Sequence, residues 1–293
     1  MHIPVLLHES IDALAIKPDG TYVDGTLGGG GHASEIAKRL SASGVFIGLD
    51  TDSVAIERVK QLFQEFPCRT ILLHENFRNI ASAHAEQNID RVDGVLLDLG
   101  WSSYQIADAN RGLSFMTEGP LDMRLDTVGN ELTAGEMINE WGEETLADLF
   151  YIYGDEKLSR KIARLIVEHR VRTPFVTTTQ LADFIKLHIA KGRHTKIHPA
   201  TRVFQALRIT VNDEYGAING FLDTILQSMK SGGRIAIISF HSGEDRIIKH
   251  RFKEWADAGY GTIMTKKPIV PSDTELSANI RARSAKLRIF QTV

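Results

Sequence analysis

The first hundred residues alternate between short apolar runs and longer amphipathic stretches. The runs are too brief for helices, whereas the stretches between them repeat apolar residues at helical spacing. We predict four strands here: Thr21 to Leu27, Val45 to Leu49, Thr70 to Leu73 and Gly94 to Leu99. Strands that are apolar throughout and separated by helices are typical of a parallel sheet covered on both faces. The sequence therefore predicts an α/β fold with a doubly wound, mostly parallel sheet.

Four consecutive glycines, Gly28 to Gly31, follow the first predicted strand and precede a helical pattern that reaches Leu40. Glycine weakens regular structure, because it loses the most backbone entropy on folding. In doubly wound sheets, a loop at this edge and at a helix N-terminus is where ligands bind. Asp50, an unpaired acid in this interpretation, ends the second strand and can accept both hydroxyls of a ribose. Together these features predict a nucleoside-containing ligand.

Two classes of ligand fit this loop. The residues from Gly28 to Ala33 formally satisfy the dinucleotide pattern G-x-G-x-x-A, so an NAD-dependent dehydrogenase is one alternative. Asp24, however, gives D-x-x-x-G-x-G, which resembles the first motif of S-adenosylmethionine-dependent methyltransferases. That ligand has a cationic amino group and a cationic sulfonium, and both favour a nearby carboxylate. We expect Asp24 at its amino acid end and Asp50 at its ribose. Asp98, which ends the fourth strand, fits either the cofactor or an acceptor amine.

The alternating pattern stops after Gln105 and resumes near residue 202. Residues 106–201 carry helical spacing and few strand signals. We therefore predict a discontinuous methyltransferase domain, 1–105 and 202–293, interrupted after its fourth strand by a helical substrate-recognition domain, 106–201. The returning α/β pattern comprises a long helix to about Lys230, a strand from Arg234 to Phe240, a helix after Glu244 and a terminal strand from Lys286.

Basic residues cluster in the predicted insertion although the formal net charge of the chain is −3. The helix around residues 157–172 has one apolar and one basic face, and the run KGRHTKIH follows a second amphipathic helix. Taken alone, a basic helix face is most often solvated surface. Recurring basic groups at 191–208 and 281–288 favour contacts with an RNA backbone. We predict five RNA-contacting residues: Arg160, Arg164, Lys196, Arg202 and Arg283.

Long stretches distributed over nearly the whole chain match one known family. They are HIPVLLHES, YVDGTLGGGGH, DGVLLDLGWSSYQ, RGLSF with GPLDMRLD, HPATRVFQALRITVNDE, ISFHSGEDR and RARSAKLR. The chain thereby resembles the RsmH (also MraW) family of bacterial 16S rRNA cytosine-N4 methyltransferases. The resemblance implies a Rossmann-like methyltransferase sheet, S-adenosylmethionine as cofactor, and a cytosine in the decoding region of the small ribosomal subunit as substrate.

The resemblance also places particular residues at the cofactor. It puts seven of them on cofactor positions: Gly30, Gly31, His32, Asp50, Phe77, Asp98 and Gln105. Phe77 also follows the third strand, where its ring can lie against adenine. The chain departs from the family at Gly243, usually Leu, and at Trp101 and Tyr104, usually small or apolar. Both segments are expected to border the acceptor pocket.

The acceptor chemistry requires a group that takes the amine hydrogens. A cytosine amine is a poor nucleophile, because its lone pair is conjugated with the ring. The D/N/S-P-P-Y/F stretch of DNA amino-methyltransferases is replaced here by DLGWSS. We therefore expect Asp98 to act as the acceptor, with Ser102 and His241 behind it. No metal is expected, since the sulfonium supplies the leaving group.

The remaining signals limit the class of protein. No apolar run approaches the ~18 residues of a membrane span, and the N-terminus lacks the pattern of a signal peptide. With a single cysteine, Cys68, a cytoplasmic protein without membrane partners is expected. A serine hydrolase is disfavoured, because this chain lacks the G-x-S-x-G elbow that carries the nucleophile of that class. A ribosome-binding factor without catalysis stays an alternative, and the sequence leaves a homodimer open.

Overall fold

A computed structural model of the chain describes residues 4–101, 105–106, 108–127, 129–189 and 197–293. The chain divides into two compact units. One comprises Met1–Ser102 and Tyr215–Val293 and is called the sheet unit below. The other, Ser103–Glu214, is called the helical unit. Each unit has its own hydrophobic core and is described by itself.

The sheet unit is built on a seven-stranded sheet in the order β3-β2-β1-β4-β5-β7-β6. The strands are β1 Thr21–Asp24, β2 Val45–Asp50, β3 Arg69–His74, β4 Val92–Asp98, β5 Met229–Ser239, β6 Gly261–Ile263 and β7 Lys286–Thr292. The strands from β3 to β5 pair in parallel, whereas β7 pairs antiparallel with both β5 and β6. Chain order proceeds from β1 outward to β2 and β3 on one side of the sheet, and from β4 outward to β5 on the other. The point where ligands bind in doubly wound sheets therefore lies between β1 and β4.

The helices of the chain are distributed over both units, and those of the sheet unit cover both faces of its sheet. Along the chain, the described helices are α1 Leu7–Leu14, α2 Gly31–Ala37, α3 Ser53–Leu62, α4 Ile80–Ala85, α5 Ala134–Glu140, α6 Glu143–Ile152, α7 Ser159–Arg170, α8 Thr178–Ile189, α9 Thr201–Val211, α10 Glu214–Thr224, α11 Ser242–Asp257 and α12 Asp273–Ala278. Neighbouring strand residues alternate between two cores, because successive side chains point to opposite faces. Tyr22 packs with α1, α2 and α3, whereas Val23 packs with α4, α10 and α11. This confirms the predicted doubly wound architecture.

The helical unit contains α5 to α9 around a single apolar core. Met137, Phe150, Ile166 and Leu181 are fully buried there, each from a different helix. The predicted apolar stripe of the basic helix, now α7, faces this core through Ile162 and Ile166.

Among the described residues of both units, none of the helices combines the length and apolar character that a membrane crossing requires.

The second boundary between the units differs from the predicted position near residue 202. The helix α9 packs into the helical core through Val203, Phe204 and Leu207. Asn212, just beyond it, accepts a hydrogen bond from the Leu125 N–H at 2.8 Å and donates one to the Met123 carbonyl at 2.8 Å. These contacts assign residues up to 214 to the helical unit.

Local elements depart from the predicted ones at three places. The long helix predicted to end near Lys230 is two helices, α9 and α10, because Asp213 adopts a left-handed backbone with φ +46°. The next strand, β5, begins at Met229 rather than at the predicted Arg234. The strand β6 was not predicted, because its three residues are too few to show a pattern.

Candidate active site

Three aspartates end three neighbouring strands of the parallel sheet. Asp24 is the last residue of β1, Asp50 of β2 and Asp98 of β4, and β2, β1 and β4 are adjacent in the sheet. Parallel strands end at the same edge, so the three carboxyl groups lie along one rim, where the sequence places them. We call these three residues the acid rim.

Asp24 and Asp98 each have a carboxylate oxygen without a hydrogen-bond partner among the described residues. These atoms, Asp24 Oδ2 and Asp98 Oδ1, are buried. Loss of hydration raises the pKa of Asp24 to about 7, and loss of hydration together with repulsion from Asp24 and Glu244 raises the pKa of Asp98 to about 8. A buried carboxylate without a partner is costly unless a cation comes to lie beside it. The pair therefore fits a ligand that carries two positive charges.

Asp50 differs from the other two acids because it is not unpaired, contrary to the sequence interpretation. Its Oδ2 accepts the N–H of Gly28 at 2.8 Å, and its Oδ1 accepts the N–H of Asp52 at 2.8 Å. Burial raises the pKa of Asp50 to about 6, and these two amides limit the rise by stabilising the carboxylate. Each oxygen retains a second lone pair, so the carboxylate can still accept ribose hydroxyls.

The glycine run has structural reasons in this fold. Gly28 and Gly30 adopt φ values of +49° and +80°, in the left-handed region that glycine tolerates. At Gly28 this conformation accompanies the amide bond to Asp50, and the Gly28 carbonyl accepts a hydrogen bond from Arg58 at 3.2 Å. A Cβ atom at Gly31 would overlap the ring of Pro4. The loop is thus shaped by its own backbone and by the N-terminal segment.

Thr26 connects two members of the acid rim and was missed from the sequence. Its hydroxyl accepts the N–H of Asp98 at 2.7 Å, and its own N–H donates to Asp24 Oδ1 at 3.0 Å. An aspartate that accepts the amide two residues on is a common turn, so the D-x-T spacing was an available signal. The bond to Asp98 was not predictable, because it depends on how β1 and β4 pair.

The other residues predicted at the cofactor occupy several environments. His32 is buried at the start of α2, and its Nδ1 lies 3.7 Å from Asp98 Oδ2. Phe77 is partly buried in the turn after β3, and its Cβ lies 3.1 Å from the position of a Cβ at Gly25, just after β1. Gln105 is buried and belongs to the helical unit. Ser102 and Tyr104 lie outside the described residues.

His241 caps the N-terminus of α11 together with Glu244. Its Nδ1 accepts the Glu244 N–H at 3.4 Å, while Glu244 Oε2 accepts the His241 N–H at 3.2 Å. Its Nε2 lies 3.2 Å from Glu244 Oε1 without hydrogen-bonding geometry. The buried Glu244 carboxylate also raises the pKa of Asp98 by repulsion. His241 thus has a capping role, and Glu244 is a neighbour of the acid rim that the sequence did not reveal.

Gly243 is accounted for by Tyr215. A Cβ atom at position 243 would overlap the hydroxyl of Tyr215. The centroid of the Tyr215 ring lies 5.9 Å from that of the His241 ring. Gly243→Ala should therefore destabilise the protein by about 1–3 kcal/mol, the usual cost of overpacking. Chemical unfolding of Gly243→Ala, Tyr215→Ala and the double variant measures the coupling. Additive losses would show that the two positions do not compete for space.

Four of the five predicted RNA-contacting residues are described, and they are exposed or half-buried positions distributed over both units. Arg160 and Arg164 are exposed on α7, and Arg164 forms a loose ion pair with Glu168 at 3.9 Å. Arg202 is half-buried on α9, Arg283 is exposed after α12, and Lys196 lies outside the described residues. Arg170, at the end of the basic face, instead donates to the carbonyls of Ile138 and Trp141, both at 2.6 Å.

The doubly wound sheet, with acids at its ligand-binding edge, is typical of an α/β enzyme that binds a nucleoside-containing ligand, and the family match shows the class: the protein is a methyltransferase whose methyl donor is S-adenosylmethionine. Comparison with family models gives the finer assignment. The chain belongs to the MraW methylase family, whose model matches residues 1–293. The dehydrogenase and hydrolase alternatives are thereby excluded.

Curated relatives align over essentially their full lengths. A protein of Clostridium botulinum (strain Loch Maree / Type A3) is 45% identical over 307 residues, covering 100% of this chain and 99% of the relative. Proteins of Clostridioides difficile (strain 630) and Acetivibrio thermocellus are 44% identical, with the same two coverages. All three are named ribosomal RNA small subunit methyltransferase H.

Proposed function

We propose that this chain methylates N4 of a specific cytosine in the decoding region of 16S rRNA, within the small ribosomal subunit in the cytoplasm. The observation that carries the proposal is the pair of buried carboxylate oxygens, on Asp24 and Asp98, that lack partners among the described residues. The names of the relatives support the small subunit RNA as substrate. The resemblance noted from the motifs supports the cytosine and its N4 atom.

The sheet unit holds the methyl donor in this proposal. Asp24 faces its amino group, Asp50 its ribose, and Phe77 its adenine, with the glycine loop and His32 completing the part of the site that this unit supplies. When bound, S-adenosylmethionine supplies a methyl group on a cationic sulfur, which keeps the electron pair of the broken carbon–sulfur bond. The oxygens of Asp24 and Asp98 that have no partner in the described part of the chain provide the negative charge that such a ligand requires.

Asp98 accepts the proton that the cytosine amine loses as its nitrogen gains the methyl group. Its buried Oδ1 has no partner among the described residues, so it is available as an acceptor. In water-excluded surroundings such a carboxylate interacts strongly with developing positive charge. His241 ranks behind it, because its Nδ1 is occupied in capping α11. Ser102 stays a candidate on sequence grounds alone.

The helical unit recognises the RNA in this proposal. A surface cavity of about 560 Å³ lies at the start of α7, lined by Lys157, Arg160, Lys161 and the exposed Tyr151. Among the described lining residues, Asp148 is the one acid. Basic groups around a cavity suit a phosphate backbone, and an exposed aromatic ring offers a surface on which an unstacked base can lie.

Charge reversal in this cavity should weaken RNA binding. Arg160→Glu is expected to raise KM for small subunits about three- to tenfold and to reduce its salt dependence, because a phosphate contact is lost. Asp148→Asn should lower KM or leave it unchanged. Lys60→Glu, on α3 in the sheet unit, is the control and should have no effect. Equal KM values for Arg160→Glu and Lys60→Glu would remove the cavity from the RNA-binding surface.

The activity itself is tested by methyl transfer. Small subunits from cells that lack the protein are incubated with tritium-labelled S-adenosylmethionine, and the RNA is digested to nucleosides. Label in N4-methylcytidine supports the proposal. Label in another nucleoside would redirect it, and tight subunit binding with no label would favour the ribosome-binding factor.

A further inference from the structure

The N-terminal motif HIPVLLHES has no role in the proposed function, yet its first described residues contact the acid rim through His32. We call Pro4, Val5 and Leu6 the N-terminal strap. The Pro4 ring fills the space beside Gly31, which has no Cβ. The N–H of Leu6 donates to Glu275 Oε1 at 2.8 Å, on α12. The side chains of Val5 and Leu6 are buried in the core beneath. The strap is therefore fixed on both sides.

The strap determines where His32 carries its proton. His32 Nε2 lies 3.0 Å from the Val5 carbonyl oxygen. A carbonyl only accepts hydrogen bonds, so Nε2 must carry the hydrogen. In the neutral ring, the lone pair is then on Nδ1, the atom that lies 3.7 Å from Asp98 Oδ2. A shift of less than 1 Å would bring the two atoms into hydrogen-bonding distance.

Asp98 is surrounded by few groups that can compensate its charge. Asp24 on β1 and Glu244 on α11 both repel it, and Thr26 bonds only to its backbone N–H. His32 on α2 is the titratable base that faces it among the described residues. A proton on His32 Nδ1 would hold Oδ2 and direct Oδ1 to the acceptor amine.

We propose that His32 is a positioning residue for Asp98: fixed in one tautomer by the N-terminal strap, it takes the carboxyl proton from Oδ2 onto Nδ1 and so maintains the carboxylate that accepts the amine proton at Oδ1. The inference rests on the proposed function. In the resting pair, one proton moves from oxygen to nitrogen and no other bond changes. During turnover, the nitrogen–methyl bond would form as the carbon–sulfur bond of the donor breaks with its electron pair left on sulfur, and the amine proton passes to Oδ1 of Asp98.

The pH profile of kcat/KM distinguishes this role from a structural one. His32→Gln keeps an amide that can bond to Val5 but cannot take a proton. Because glutamine cannot take the Asp98 proton, the acidic limb of the kcat/KM profile of His32→Gln should move to higher pH by about one unit. This shift gives roughly a tenfold loss of kcat/KM at pH 7 and recovery near pH 9. A loss of equal size at every pH, or a loss of S-adenosylhomocysteine binding without a shifted limb, would overturn the proposal.

A second variant tests the strap without changing the pair. Glu275→Ala removes the acceptor of the Leu6 N–H and lies on an exposed short helix. We expect a smaller shift of the acidic limb in the same direction, with unchanged S-adenosylhomocysteine affinity. An unshifted limb would exclude the strap from this role. If wild-type protein transfers no methyl group to small subunits, the proposed function fails; if it is active and both variants keep the wild-type limb, only this inference fails.

Discussion

Replacing Asp98 by asparagine should lower methyl transfer to small subunits by about 10²- to 10⁴-fold, the usual contribution of a general base. The amide has the same shape as the carboxyl group, so Thr26 can still accept the N–H of residue 98 and β4 keeps its end. What is lost is the negative charge on a buried oxygen. The measurement is single-turnover transfer of labelled methyl groups at saturating cofactor.

The control for this experiment is Asp223→Asn, which makes the same chemical change at an exposed site that pairs with Arg251. It should transfer methyl groups at the wild-type rate. Cofactor affinity of both variants is measured by calorimetry. Normal turnover by Asp98→Asn would exclude Asp98 as the acceptor. Loss of cofactor binding alone would make it a binding residue.

Affinity for S-adenosylmethionine should rise with pH between about pH 6 and pH 8, by up to about a hundredfold per unit where both protons are displaced. The pKa of Asp24 is raised to about 7 and that of Asp98 to about 8, so in the free protein each site retains a proton, which at Asp98 is shared with His32, and these protons compete with a cationic ligand. Each proton displaced on binding contributes one unit of slope. S-adenosylhomocysteine lacks the sulfonium charge, so its affinity should rise less steeply.

The sign of the accompanying stability change follows from the same pKa values. In the unfolded chain these carboxyl groups titrate near 3.8, so above that pH the folded protein binds more protons. Without ligand, the free energy of unfolding should therefore fall as the pH rises through 7 and 8.

Asp24→Asn should reduce the slope of the S-adenosylmethionine affinity against pH by about one proton. Equal slopes for the two ligands and for this variant would show that the acid rim does not face the sulfur and amino groups.

The sequence predicts the sheet well because its strands are buried on both faces. A continuous apolar run such as that of β2 has no helical or alternating period, so its type is clear from composition and length. The acids at the strand ends follow from the same pattern. The junction near Asp213 could not be predicted, because a single left-handed residue interrupts two helices of similar periodicity.

The site is less predictable than the sheet, since its contacts join residues far apart in sequence. The bond from Asp98 to Thr26 spans 72 residues, and the contact between His32 and Val5 spans 27. Asp50 looked unpaired in the sequence because its partners are main-chain amides, which no residue type reveals. Glu244 marks only the start of a predicted helix in the sequence, and its burial beside Asp98 is what gives it an effect on the acid rim.

The acid rim as the methyl-donor site is the claim on which the other proposals depend, and a crystal structure with S-adenosylhomocysteine tests it most directly. We expect the amino group beside Asp24, the ribose hydroxyls at Asp50 and the sulfur on the side of Asp98. Ligand density at another edge of the sheet, with the rim closed by protein side chains, would contradict it.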